Sequence, residues 1–181
     1  GLTLTSVDGD IDASAYVGAL GATVTNTKDA TLKIGTAANT VTAKGAENTE
    51  ILTIDASAGT GTAGTLTLND GGAVAGEITI TGLENNLTIV NGFQGTAALS
   101  VTAGATLTGK TIDIGTSTTF ESATVNATAL ADNATVTLKG TNGLTLTSVD
   151  GDIDASAYVG TLGATVTNTA DATLKIGTAA N

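Results

Sequence analysis

The residues best suited to chemistry are three aspartates in one short run, Asp8-Gly9-Asp10-Ile11-Asp12, which returns as Asp150-Gly151-Asp152-Ile153-Asp154. In an extended segment Asp8, Asp10 and Asp12 share one face, about 7 Å from one to the next at standard strand rise. Three like charges at that spacing repel, and a hard cation taking carboxylate oxygens relieves the repulsion, so calcium is the ion these residues point to. The spacing is that of the Asp-x-Asp-x-Asp opening of calcium loops. The sixth position, normally Gly, is Ala13, and the twelfth, normally a bidentate acid, is Ala19. A full EF-hand loop is therefore not made, and backbone carbonyls or another segment must complete the ligand set. The competing reading of Asp8, Asp10 and Asp12, and of their copies Asp150, Asp152 and Asp154, is an acidic turn whose charges point into water.

Other chemistry has little to work with. The chain has no His, Cys or Arg, so neither a Ser-His-Asp or Cys-His site nor an arginine clamp on phosphate can be assembled. Twelve Asp and five Glu leave a paired-carboxylate hydrolase formally open. Sugar sites need aromatic or basic residues to hold the ring, however, and only Tyr16, Phe93, Phe120 and Tyr158 are aromatic. The chain is expected not to be an enzyme. Its net charge of −11, with six Lys as the only basic residues, argues against nucleic acid, whose phosphates demand clustered cations. No apolar run approaches the length of a membrane span, so membrane insertion is not expected in this segment. With no Cys there are no disulfide staples.

The elements that must position the aspartates read as strands. Apolar residues alternate with Thr in Leu2-Thr3-Leu4-Thr5, Thr23-Val24-Thr25, Thr40-Val41-Thr42, Thr65-Leu66-Thr67-Leu68, Ile78-Thr79-Ile80-Thr81 and Thr135-Val136-Thr137-Leu138. That period of two turns one face inward and leaves a hydroxyl face outward. Turn formers follow: Asp8-Gly9, Asp70-Gly71-Gly72, Asn91-Gly92 and Asn142-Gly143. No stretch carries a sustained helical stripe, so helix content near zero is expected, with residues 121 to 132 the least clear. With so few aromatics, the core must be thin and lined by Leu, Ile, Val and Ala. Three Asn-x-Thr sequons, at Asn86, Asn126 and Asn133, are no more than this Thr-rich composition produces by chance. The Thr-x-Thr segments are too unevenly spaced to suggest ice binding.

A long repeat organises the chain. Residues 1–39 return at 143–181, offset by 142, with two differences: Ala19 becomes Thr161 and Lys28 becomes Ala170. The domain reading is one full tandem unit, 1–142, followed by the start of the next, 143–181, as in an excerpt from a longer array. Each unit holds about fourteen strand-like runs. This spacing fits an all-β parallel β-solenoid (β-helix) excerpt of about seven coils per unit, or tandem Ig-like β-sandwiches. The solenoid is preferred. A sandwich core calls for larger side chains, no linker separates two halves, and echoes such as Ile11-Asp12-Ala13-Ser14 and Ile54-Asp55-Ala56-Ser57 recur at irregular spacing, as coils with variable loops would produce. Seven coils at roughly 4.8 Å each advance the unit about 34 Å.

The run from Glu50 to Leu68, with Leu52-Thr53-Ile54-Asp55-Ala56-Ser57 and then Thr65-Leu66-Thr67-Leu68, resembles the Thr/Ala/Gly-rich coils of bacterial S-layer proteins and other secreted surface proteins. Leu144-Thr145-Leu146-Thr147 followed by Gly151-Asp152-Ile153-Asp154 resembles the hemagglutinin-type repeats of large secreted adhesins. The resemblance implies a secreted or cell-surface protein with a solenoid stalk, and it transfers no functional residue. The Gly-Gly-x-Gly-x-Asp calcium repeat common in such proteins is missing from this sequence. Two functions follow as expectations. The first is a structural or adhesive repeat of a stalk, filament or surface layer, whose partner is itself through end-to-end or lateral self-association. The second is a binding module recognising a partner cell, glycan or matrix through a concave, unrepeated patch.

Overall fold

Alternating Thr and aliphatic residues build strands because a branched β-carbon suits the pleated backbone and every second side chain can be buried. In a computed structural model, described for residues 1–44, 50–59, 64–72, 76–90, 93, 98–116, 118–167 and 171–178, this pattern yields seventeen strands and, among the described residues, no helix. They are β1 (Leu2–Val7), β2 (Ile11–Asp12), β3 (Leu20–Val24), β4 (Ala30–Lys33), β5 (Asn39–Ala43), β6 (Ile51–Asp55), β7 (Thr65–Asp70), β8 (Glu77–Leu83) and β9 (Asn86–Ile89). The order continues with β10 (Ala98–Ala103), β11 (Lys110–Asp113), β12 (Ser122–Asn126), β13 (Thr135–Lys139), β14 (Leu144–Val149), β15 (Asp152–Asp154), β16 (Leu162–Val166) and β17 (Leu174–Lys175). The Asn91-Gly92 break lies outside the described residues. The ambiguous stretch 121 to 132 resolves into β12 and a corner.

Odd-numbered strands form one nine-stranded sheet and even-numbered strands an eight-stranded sheet, each in sequence order and parallel throughout. Each coil therefore contributes one strand to each sheet, and the molecule is a parallel β-solenoid. At about 4.8 Å per coil, the nine-stranded sheet extends about 38 Å along the axis. The stack runs without a break across Gly143, where the second sequence copy begins: β12 pairs with β14 and β13 with β15.

The core between the sheets is thin. Leu52, Ile54, Leu66, Leu68, Ile78, Ile80 and Leu87 fill it, and their Thr neighbours face outward. Phe93 is fully buried and stacks on Phe120 with ring centroids 5.1 Å apart. An aliphatic core suffices because parallel stacking puts like residues in adjacent coils directly over one another, as in Leu52 on Ile78 and Ile54 on Ile80.

The repeat differs from expectation in one respect. β14 is the copy of β1, so the described residues of a 142-residue unit carry thirteen strands, against about fourteen expected, and span six and a half coils. The unit then advances about 31 Å rather than 34 Å. An odd strand count sends the copy to the other sheet: β1 and β3 lie in the nine-stranded sheet, and β14 and β16 in the eight-stranded one. Local geometry survives the transfer. Ser6 and Ser148 both adopt left-handed backbone, with φ of 54° and 53°, and both sit where the register with the next strand shifts.

Candidate functional site

Asp8 and Asp10 lie in the corner between β1 and β2 and Asp12 ends β2; in the copy Asp150 lies between β14 and β15, and Asp152 and Asp154 begin and end β15. The three carboxylates accept from three different sets of donors. Thr27 donates its backbone N–H to Asp8 Oδ1 at 2.7 Å and its hydroxyl to Asp8 Oδ2 at 3.0 Å. Thr31 donates its N–H to Asp10 Oδ1 at 2.8 Å. Asp12 accepts from Ser14, the N–H at 3.0 Å and the hydroxyl at 2.6 Å, and lies 3.6 Å from Lys33 Nζ. Asp8 and Asp10 thus tie their coil to the next one, and Asp12 closes its own corner.

The second copy repeats this pattern. Thr173 N–H donates to Asp152 at 2.8 Å, Ser156 donates its N–H and hydroxyl to Asp154, and Lys175 lies 3.5 Å from Asp154. Asp150 occupies the position equivalent to Asp8. For Asp8, Asp12 and Asp154 the donors favour the charged form. Thr27's backbone and then its hydroxyl keep Asp8 below the usual carboxylate range, and Ser14 and Ser156 do the same for Asp12 and Asp154, with Lys33 and Lys175 adding smaller contributions. Among the described residues, no group of three or more acidic side chains converges to hold a metal ion. Asp8, Asp10 and Asp12 share a run but not a focus, and calcium meets no preformed cage of these side chains.

A corner motif emerges that the sequence reading recorded only as an echo. Asp12-Ala13-Ser14, Asp55-Ala56-Ser57, Asn126-Ala127-Thr128 and Asp154-Ala155-Ser156 each place a side-chain oxygen where it accepts both the N–H and the hydroxyl of the residue two positions on. The alanine between them is buried each time. One of the sequons, at Asn126, is thus a corner of the solenoid. Composition could not reveal this, but aligning the four apolar-Asp/Asn-Ala-Ser/Thr runs would have found it. Glu84 was also missed. It is buried in the corner after β8 and accepts Thr106's N–H at 3.0 Å and hydroxyl at 2.5 Å from the next coil.

Two surface depressions flank the acidic corners. One is bordered by Asp10, Ile11, Asp12, Thr31 and Lys33. The other is bordered by their copies Asp152, Ile153, Asp154, Thr173 and Lys175, together with Thr135. Because the copies occupy different sheets, the depressions open on opposite faces of the solenoid. Comparison of the chain with protein-family models, with curated proteins and with solved structures finds no match.

Proposed function

We propose that the chain is a structural segment of a secreted or cell-surface bacterial protein, a stalk, filament or surface-layer element that associates with copies of itself. The observation carrying this reading is the uninterrupted two-sheet stack that passes through the junction of two near-identical sequence copies. In such a stack each coil is supported mainly by its neighbours, so length is added without a new core having to be designed. A binding module calls for a patch that occurs once. Here the depressions beside the two acidic corners have the same five bordering residues, and that recurrence supports a spacer.

The reading is tested by length and by place. Small-angle scattering from chains carrying two, three and four units should show the long dimension growing by about 31 Å per unit. Antibody should label intact producing cells without permeabilisation. A long dimension that fails to grow with unit number would overturn the spacer, and labelling only after lysis would overturn the location.

A further inference from the structure

The turn signals of the sequence place a side-chain carbonyl beside the unshielded amide of a glycine, and in two of them the fold occupies that side chain. Asp8, before Gly9, accepts from Thr27, and Asp70, before Gly71, accepts the N–H of Gly72. Asn142-Gly143 differs. It lies in the corner between β13 and β14, where the second sequence copy begins. The flanking amides are held to adjacent coils: Thr141 donates its N–H to the Gly115 carbonyl, and Leu144 to the Thr161 carbonyl. Among the described residues, neither the Gly143 N–H nor the Asn142 side-chain amide has a hydrogen-bond partner. Gly143 is exposed and Asn142 partly so, and a surface depression bordered by Glu121, Ser122, Gly143 and Thr161 opens beside them.

We propose that Asn142-Gly143 is a site of spontaneous modification in the folded protein, with water as its only co-reactant. The Gly143 nitrogen attacks Cγ of Asn142, a bond forms between them, and the Cγ–Nδ2 bond breaks. Nδ2 leaves as ammonia, with the proton that Gly143 gives up, and a five-membered imide remains. Water then opens the imide. Cleavage between Cγ and the Gly143 nitrogen leaves an aspartate at position 142. Cleavage between the former backbone carbonyl carbon and that nitrogen leaves an isoaspartyl link, in which the main chain runs through Cβ. Glycine suits the attack because no β-carbon stands beside its nitrogen. Base promotes it, because the nucleophile is the deprotonated amide.

Either product adds a negative charge to a chain already at −11. The isoaspartyl product also changes the packing. The Asn142 carbonyl accepts the hydroxyl of Tyr158 from the next coil, and Gly160 approaches it so closely that a β-carbon there would overlap it. An isoaspartyl link turns that carbonyl into a free carboxylate and adds a methylene to the main chain at the same contact. The conversion thus loosens one coil from the next where the two sequence copies join.

Trypsin isolates the site. Asn142 lies in the peptide from Gly140 to Lys175, whereas Asn126 and Asn133, each followed by Ala, lie in the peptide from Thr111 to Lys139. The folded chain, held in mildly alkaline buffer and sampled over time, is digested and read by mass spectrometry with fragmentation. The mass gain of an amide-to-acid exchange should appear at Asn142 about ten-fold faster, or more, than at Asn126 or Asn133, whose following residues carry a β-carbon. Gly143→Ala is the matched variant. Its backbone is not left-handed and a β-carbon there meets nothing within 4 Å, so the fold accommodates the methyl group, which shields the nitrogen. This variant should keep its circular dichroism and slow the loss of the Asn142 amide by a similar factor. An Asn142 amide that survives in the folded chain, whether or not it is lost in denaturant, would overturn the proposal. Loss at the same rate in Gly143→Ala would overturn the route through the Gly143 nitrogen. Aged chain should unfold at a lower temperature than fresh chain, and an unchanged midpoint after conversion would overturn the loosening of the joint.

Discussion

Each carboxylate of the acidic corner is matched to a particular donor, and that matching decides how the corner responds to mutation, metal and pH. Replacing Asp10 by Ala removes the acceptor for Thr31's N–H and should lower stability by about 1 kcal/mol, whereas Asp10→Asn keeps an oxygen in place and should cost less. Thermal unfolding with millimolar calcium and with excess chelator should give the same midpoint, since among the described residues no three acids converge. A calcium-dependent rise abolished by Asp10→Asn/Asp152→Asn would instead establish a cation site. Acid provides a separate check. Asp8, Asp12 and Asp154 titrate below the ordinary carboxylate value of 3.8, so their contribution is present above that value and is lost as pH falls through their lowered pKa values. An acid titration followed by circular dichroism should show that loss beginning below about pH 4.

At the scale of the element, the solenoid is built from short strands joined by corners that allow little variation in side-chain size. The strand interior is sensitive to lost volume: Ile80 is fully buried between Ile54 and Val101, and Ile80→Ala should cost 2–5 kcal/mol in denaturant unfolding, within the usual cavity range of about that size. The corner is sensitive to added volume. A β-carbon on Gly35 would collide with the Tyr16 carbonyl of the preceding coil, so Gly35→Ala should destabilise by about 1–3 kcal/mol. If Gly35→Ala instead melted with the parent chain, the close approach of those two corners would be disproved.

The whole chain carries a net charge of −11, with six Lys against seventeen acidic residues. Like charge opposes the proposed association of copies through a field that salt screens over about 8 Å at physiological ionic strength. Raising sodium chloride from about 50 mM to about 500 mM should therefore shift sedimentation toward longer species by several-fold in association constant. A shift toward monomer would mean that ion pairs between copies dominate their contact.

Much of this was legible in the chain. Period-two alternation in segments such as Thr65-Leu66-Thr67-Leu68 specified strands, because only a pleated backbone buries every second residue. The scarcity of aromatics specified a thin core, and the 142-residue offset specified the repeat. The sequence alone could not say that the described residues of the unit form an odd number of strands, thirteen. Which runs become strands and which become corners depends on whether a neighbouring coil completes their hydrogen bonds, and that neighbour lies some 20 residues away: Asp10 meets Thr31, and Asp152 meets Thr173. The odd count, and with it the exchange of sheets between copies, belongs to the tertiary structure. So does the fate of the aspartates, which share a face in an extended strand but are divided between coil and corner once the chain turns.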